Sequence, residues 1–478
     1  MRGCMKALAK KIASVILFLL LLAGGFVLLY GIFSWKDTSG DYFSSADQAY
    51  ALNDHVVDVA FFGPSVIYAS FNPAILWEQR GIASFNAAVS GQDRNASTYY
   101  VKEFLKNQSP KVVVLSSTYL YTDTYAVQGN LYRNALSLKP SLNSIRLIRD
   151  IVPKSSLPTK QKLWDYYLRW PILHSRYREL KRGDFEPVKE YAYSLGYIYD
   201  YGNWNQESFG AASTNLSESS PISSFNMDWI NELKTLGEQN GFELLIVAAP
   251  TDLSASERAC LNGCFEYLDS IGVAHLDMNF VLEEMDFLPA QDMVDSIHAN
   301  VNGAAKISAY FCDYLAEHFS LPDHRGEKGY EIYEQSVSVY QHHVLEKSVL
   351  PYLDSVGYAS LLAENESLIY AVTLHQDGEM APEITDLLTE AGVPEAQLQN
   401  GGTWILRGKK VLCAPKDRTY GYQVNKRDFL FVNPDPLKKG ADTVSFGKSD
   451  LITPYHTDCC IVTYDMILDR IIDVREIH

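Results

Sequence analysis

Four short stretches of the chain hold the residue types that acyl transfer requires: Gly63-Pro64-Ser65, Asn86 to Gly91, Ser116-Ser117-Thr118 and Asp295-Ser296-Ile297-His298. A serine hydroxyl attacks a carbonyl when a base takes its proton, and a histidine serves best when a carboxylate holds its other ring nitrogen. Ser65 is the candidate nucleophile and His298 the base, while Asp295, three residues earlier, orients the imidazole. Charge that develops on the carbonyl oxygen needs preorganised donors, each worth about 3 kcal/mol in the transition state. The backbone N–H groups of Ser65 and Gly91 are candidates for that oxyanion hole, and a hydroxyl of Ser117 or Thr118 is a candidate third donor. Each type also has a plainer use: serine caps helices, glycine makes turns, and a histidine can cap a helix or face solvent.

The elements that must position these residues are legible in the hydrophobic pattern. From Val56 onward, short apolar runs alternate with helical patterns, the sequence form of an α/β protein with a parallel sheet. The expected strands are Val56 to Phe62, Ala83 to Val89, Lys111 to Leu115, Phe242 to Ala249 and Val273 to Met278. Expected helices lie around Ala74 to Arg80, Ala96 to Asn107, Met227 to Asn240, Ser256 to Ile271 and Gly303 to His318. In such a sheet a site forms beyond the carboxyl ends of the strands. The serine follows the first strand, the glycine the second and the DxxH the last, so order and placement argue for one site.

At these residues the chain resembles the SGNH (GDSL-type) hydrolases. The stretch FFGPSVIYASFNPAILWEQRGIASFNAAVSGQD looks like that family's first two blocks, and DSIHANVNGAAKISAYFCDYL looks like its last. The likeness, over about residues 50–320, falls to the membrane-anchored extracytoplasmic branch that includes the D-alanyl-lipoteichoic acid biosynthesis proteins of Gram-positive bacteria. It implies a flavodoxin-like three-layer α/β/α sandwich, Ser65 as nucleophile, Gly91 as oxyanion donor, and Asp295 with His298 as the rest of the triad. Two positions depart from the family pattern. Pro64 stands where the family has Asp, and SSTY stands where its third block offers an Asn side chain to the oxyanion.

A stretch at 121–224 interrupts the alternation and reads as a mostly helical insertion. Its segment WDYYLRWPILHSRYREL joins aromatic rings to His174 and Arg176. That composition suits a lid or sugar-binding wall with His174 and Arg176 as substrate contacts, or a helix with its own aromatic core. A polar segment at 321–331 is the expected linker to a C-terminal accessory domain, 332–478, which begins helical and turns strand-rich, a small α+β or β domain. Its ending, CCIVTYDMILDRIIDV, resembles the interleukin-like (EMT inducer) domain of bacterial envelope proteins, which implies a glycan- or partner-binding module.

Residues 12–35 contain no charged side chain and give roughly 36 Å of helix, against a hydrocarbon core of about 30 Å. A cleaved signal peptide would have a shorter apolar region, so the run reads as a transmembrane anchor. Arg2, Lys6, Lys10 and Lys11 in 1–11 precede it, while Lys36 is followed by Asp37 and Asp41, which keeps the N-terminus cytoplasmic and the main domains outside. Tyr30 and Trp35 suit the outer interface. Cys4 lies on the cytoplasmic side, and Cys260, Cys264, Cys312, Cys413, Cys459 and Cys460 either pair in an oxidising compartment or stay buried thiols. No CxxC pair or HxxxH partner accompanies them, so neither a metal nor another cofactor is expected.

The chain holds 41 Lys plus Arg against 58 Asp plus Glu, a formal charge of −17, which argues against nucleic acid as a partner. Setting aside the four basic residues before the anchor leaves −21 for the rest. A polyanion such as teichoic acid would then need a local basic groove, for instance near Arg176 and Lys181, whereas a neutral acylated polysaccharide would not. The expected function is a membrane-anchored extracytoplasmic serine ester hydrolase or acyltransferase acting on envelope polysaccharide or teichoic acid. The alternative is a non-catalytic scaffold that binds such a polymer or a membrane acyltransferase partner.

Overall fold

A computed structural model of the chain describes residues 2–34, 44–92, 94–121, 128–154, 163–180, 182–185, 193–375, 381–434, 442–447, 450–452 and 459–477. Trp35, Lys36, Asp37, Asp41 and Lys181 lie outside the described residues. Contacts divide the chain into two compact units, Met1–Val337 and Ser338–His478, and the division falls inside the helix Glu331–Val344.

The first unit is built on five parallel strands: β1 (Val59–Phe62), β2 (Ser84–Asn86), β3 (Val112–Ser116), β4 (Glu243–Ala248) and β5 (Ala274–Asp277). They lie in the order β2-β1-β3-β4-β5, a doubly wound arrangement in which the chain changes direction across the sheet between β1 and β3. The central strands are runs of Val, Leu, Ile, Ala and Phe because helices bury both of their faces. Ala60, Phe62, Val113, Leu115, Leu244 and Ile246 face one apolar core, built with the helices Arg94–Phe104, Ser224–Asn240 and Ala255–Ile271. Val59, Phe61, Val112, Val114, Leu245 and Val247 face the other, against the helices Ser65–Ser70, Pro73–Arg80 and Val301–His318.

Two strands are shorter than the sequence suggests. Before β1, the Val56 N–H is taken by the Gln108 side chain at 3.0 Å, outside the ladder. After β2, the Asn86 side chain accepts the Ala88 N–H at 3.2 Å, while the Ala87 and Val89 N–H groups still donate to the Phe61 and Gly63 carbonyls at 2.8 and 3.0 Å. The helix Ser65–Ser70 is an element that periodicity misses: Val66, Ile67, Tyr68, Ala69 and Ser70 are all buried, so no polar face marks it.

The last described helix of the insertion is Arg182–Phe185, and residues 193–223 run as irregular chain with one short turn, Ala211–Thr214. Among the described residues, the segment from Trp164 to Arg178 has partners at the N-terminal helix and not at Ser65. It packs on the helix Arg2–Phe33, with the Trp170 ring 5.3 Å from Phe26 and 5.5 Å from Phe33. Within Arg2–Phe33, Lys10–Phe33 is long and apolar enough to cross a membrane. The polar stretch after Leu321 is held on the first unit, where His324 lies 2.9 Å from Asp58 and 2.8 Å from Glu327.

The second unit combines helices with two antiparallel sheets. One has the order β14-β13-β6-β7-β8, from β6 (Leu368–Leu374), β7 (Gly402–Arg407), β8 (Lys410–Cys413), β13 (Cys459–Asp465) and β14 (Arg470–Ile477). The other has the order β12-β11-β10-β9, from β9 (Tyr420–Gln423), β10 (Phe429–Asn433), β11 (Thr443–Phe446) and β12 (Asp450–Ile452). The helices Ser355–Glu364 and Pro382–Glu390 share an apolar core with the first of these sheets. Cys260, Cys264, Cys312, Cys413 and Cys460 are free thiols, and burial pushes those of Cys264 and Cys312 up to about 12.

Candidate active site

Ser65 is the first residue of the short helix that follows β1, with Pro64 at the capping position in extended backbone. Its hydroxyl does not cap that helix. The Ser65 Oγ lies 2.7 Å from His298 Nε2, and His298 Nδ1 lies 2.8 Å from Asp295 Oδ2. The other Asp295 oxygen accepts the N–H groups of Ile297 and His298, each at 2.9 Å. Partial burial raises the Asp295 carboxyl, and the hydrogen bonds from His298 and from these two N–H groups more than reverse it, holding the group below its ordinary range.

The loop that carries Asp295 and His298 is fixed on several sides. Val294 N–H donates to the His298 carbonyl at 2.8 Å, Asn300 N–H to the Asp292 carbonyl at 2.9 Å, and Asp252 N–H, beyond β4, to the Ser296 carbonyl at 2.8 Å. Asn300 caps the helix Val301–His318 through Oδ1 and donates from Nδ2 to the carbonyls of Gly202 and Gln291, at 3.0 and 2.7 Å. That helix also reaches the serine side: Ser308 Oγ accepts the Asn72 N–H at 2.8 Å and donates to the Ser70 carbonyl at 3.2 Å.

The Ser65 helix is held from β2 as well. Asn86 Nδ2 donates to the carbonyls of Ile67 and Phe71 at 3.1 and 3.2 Å, and the residue is fully buried. Gly196, in the irregular return of the insertion, passes so close to Asn86 that a Cβ there would lie 1.8 Å from the Asn86 carbonyl oxygen. Its φ of +83° is one that side chains disfavour. The insertion therefore contributes backbone that braces β2.

Gly91 lies in the turn after β2, brought beside the serine loop by the Val89 N–H, which donates to the Gly63 carbonyl at 3.0 Å. Its carbonyl accepts Asn134 Nδ2 at 2.9 Å, and its φ is +56°. Among the described residues, neither the Ser65 nor the Gly91 N–H has an acceptor. Ser117 is buried and its N–H donates to the Val247 carbonyl at 2.9 Å, while the Thr118 hydroxyl is engaged by Ser116 Oγ at 3.0 Å and Tyr121 Oη at 3.4 Å.

His174 and Arg176 do not join the site. Arg176 is buried, pairs with Asp184 at 2.7 Å and donates to the Phe33 carbonyl at 2.7 Å, so its charge is spent on the end of the apolar helix. His174 is exposed between the rings of Trp170 and Tyr177. Asn86, Asn300 and Ser308 are positioning residues that spacing did not single out. Only Asn300, immediately before a helix, carried a capping signal.

No protein-family model matches the chain, and no curated protein matches it. Among solved structures it is similar to an acetyl xylan esterase (Est2A) from the rumen bacterium Butyrivibrio proteoclasticus, at 8% sequence identity and a TM-score of 0.23. The match covers 55% of this chain and 64% of that one, less than two thirds of its length.

Proposed function

We propose that the chain is a membrane-anchored, extracytoplasmic serine ester hydrolase or acyltransferase of SGNH type that acts on an acylated envelope polymer. The observation that carries the reading is the continuous chain of hydrogen bonds from Ser65 Oγ through His298 to Asp295. In it, His298 Nε2 takes the Ser65 proton as Oγ bonds to the ester carbonyl carbon, and Asp295 holds the imidazole and stabilises its cationic form. The oxyanion is met by the N–H groups of Ser65 and Gly91, about 3 kcal/mol per donor. His298 then returns the proton to the departing alkoxide, leaving an acyl group on Ser65. Water completes a hydrolysis, and a sugar hydroxyl completes a transfer.

The basic residues before Ile12 and the apolar run after it support a cytoplasmic N-terminus with the site outside. The acceptor is better matched by a neutral acylated polysaccharide than by teichoic acid. The chain beyond the anchor is strongly acidic, and the arginine expected in a basic groove, Arg176, is neutralised by Asp184. A scaffold role, binding the polymer or a membrane acyltransferase, is favoured by the missing third-block Asn and opposed by the 2.7 Å approach of Ser65 to His298.

A serine-directed fluorophosphonate tests the reading. The full-length chain should be labelled on Ser65, and Ser65→Ala should remove the label. A folded wild-type chain that resists labelling would leave the scaffold.

A further inference from the structure

A cavity of about 210 Å³ opens where the apolar helix ends, lined by Tyr30 and Ser34 from its last turns and by Asp47, Lys139 and Arg169. Arg169 is 96% buried, at 4% exposure, yet has no carboxylate partner among the described residues. Its Nη1 donates to the Leu136 carbonyl at 3.2 Å and to Tyr30 Oη at 3.4 Å. A guanidinium carries five N–H donors, and Leu136 and Tyr30 are the acceptors of this one among the described residues. Burying a cation in this way is costly unless an anion completes it. The backbone adds to the cost, because Arg169 sits at φ 58° and ψ −38°, which side chains disfavour.

The surroundings state what kind of anion fits. Among the described lining residues, Arg169 and Lys139 against Asp47 leave one net positive charge, the complement of one phosphodiester. The Lys139 ammonium lies 4.4 Å from the centre of the Tyr50 ring, which holds it at the rim. The flank is apolar: Trp170 packs on Phe26 and Phe33, and Trp164 and Leu168 are exposed. Aromatic and aliphatic side chains so placed belong at the depth of lipid headgroups, where basic pockets bind them.

We propose that the cavity formed by Arg169, Lys139 and the end of the apolar helix binds the phosphodiester headgroup of an outer-leaflet phospholipid. The proposal rests on the reading of Lys10–Phe33 as a bilayer span and is independent of the chemistry at Ser65. A soluble phosphate ester offers the same anion without acyl chains to lie along Trp170 and the helix, so lipid and free phosphate are separable.

The full-length chain, purified in an uncharged maltoside detergent, is mixed with dioleoylphosphatidylglycerol, dioleoylglycerol or glycerol 3-phosphate, and bound molecules are counted by native mass spectrometry. One phosphatidylglycerol should be retained, and Arg169→Gln should lower its retention at least tenfold. Equal retention of dioleoylglycerol, equal binding of glycerol 3-phosphate, or unchanged retention by a folded Arg169→Gln chain would each overturn the site. If circular dichroism shows that Arg169→Gln does not fold, Lys139→Glu at the exposed rim decides in the same way, with at least a fivefold loss expected. Alkaline carbonate separates the two failures. Release of the chain from membranes defeats the span and the site with it, whereas a chain that stays in the membrane but keeps no lipid defeats the site alone.

Discussion

Ser65 Oγ and His298 Nε2 lie 2.7 Å apart although 233 positions separate them, and Ser65 begins a helix without capping it. Pro64 holds the capping position and has no side-chain donor or acceptor to offer, and the Ser65 hydroxyl one residue on is not drawn to the first N–H groups of its own helix. Here it is committed to the imidazole. Ser65→Ala and His298→Ala should each lower hydrolysis of an activated aryl ester by about 10⁶-fold, and the double variant should be no worse than either, since residues that act as a unit are not additive. Multiplicative losses in steady-state rates would show that the two side chains do not act together.

Asn86 tests positioning apart from chemistry. Asn86→Ala leaves the buried carbonyls of Ile67 and Phe71 without their donor, which should cost about 1–3 kcal/mol in a urea melt. It should also slow fluorophosphonate labelling of Ser65 under conditions where the chain remains folded. A melt shifted with the labelling rate unchanged would mean that Asn86 braces the sheet and not the serine.

Gly196→Ala places a methyl group against backbone that has no room to give. With a Cβ 1.8 Å from the Asn86 carbonyl oxygen, the return segment must move, and a loss of about 2 kcal/mol or more is expected by thermal or urea unfolding. A neutral substitution would place the segment elsewhere than beside β2.

The carboxyl of Asp295 lies below its ordinary 3.8, so it remains ionised into mildly acidic solution. A lowered folded value adds stability that is fully present above the unfolded value and is lost as pH falls through the folded one. Asp295→Asn should therefore melt below the wild type at pH 7, and the gap should close as pH drops below about 4. The effect is small, because half of the side chain faces solvent. A gap that widens in acid would mean that the carboxyl is raised.

The third block makes a separate prediction. Ser117 is buried with its N–H used in the sheet, and the Thr118 hydroxyl oxygen accepts from Ser116 Oγ and Tyr121 Oη. Ser117→Ala and Thr118→Val should each change the acylation rate by less than about threefold. A loss of about 10² or more, the size that removal of an oxyanion donor produces, would make the altered residue that donor.

The parallel strands were legible because β1, β3 and β4 are apolar runs buried on both faces, and β6, β7 and β13 of the second unit show equally plainly as apolar stretches. Ser65, Asp295 and His298 were legible because each follows a strand, where a parallel sheet gathers its loops. The brace around them was not. Asn86, Gly196 and Ser308 act through a few side-chain hydrogen bonds or one close approach between separate segments, and no periodicity records such pairs. Arg176 misled for a related reason. An arginine among aromatic rings looks the same in sequence whether it waits for a phosphate or is closed by a carboxylate, and Asp184, eight positions on, is what closes it.

Trp170 against Phe26 and Phe33, together with Arg176 on the Phe33 carbonyl, changes the mechanics of the whole first unit. A domain joined to its anchor by one stretch of chain hangs from a leash and samples a wide shell of positions. On the proposed reading of Lys10–Phe33 as a bilayer anchor, a unit that also grips the side of that helix is on a bracket, and the Ser65 site keeps a set height and a set direction. Loosening that grip with Trp170→Ala would leave the Ser65 chemistry intact while blurring where it is delivered.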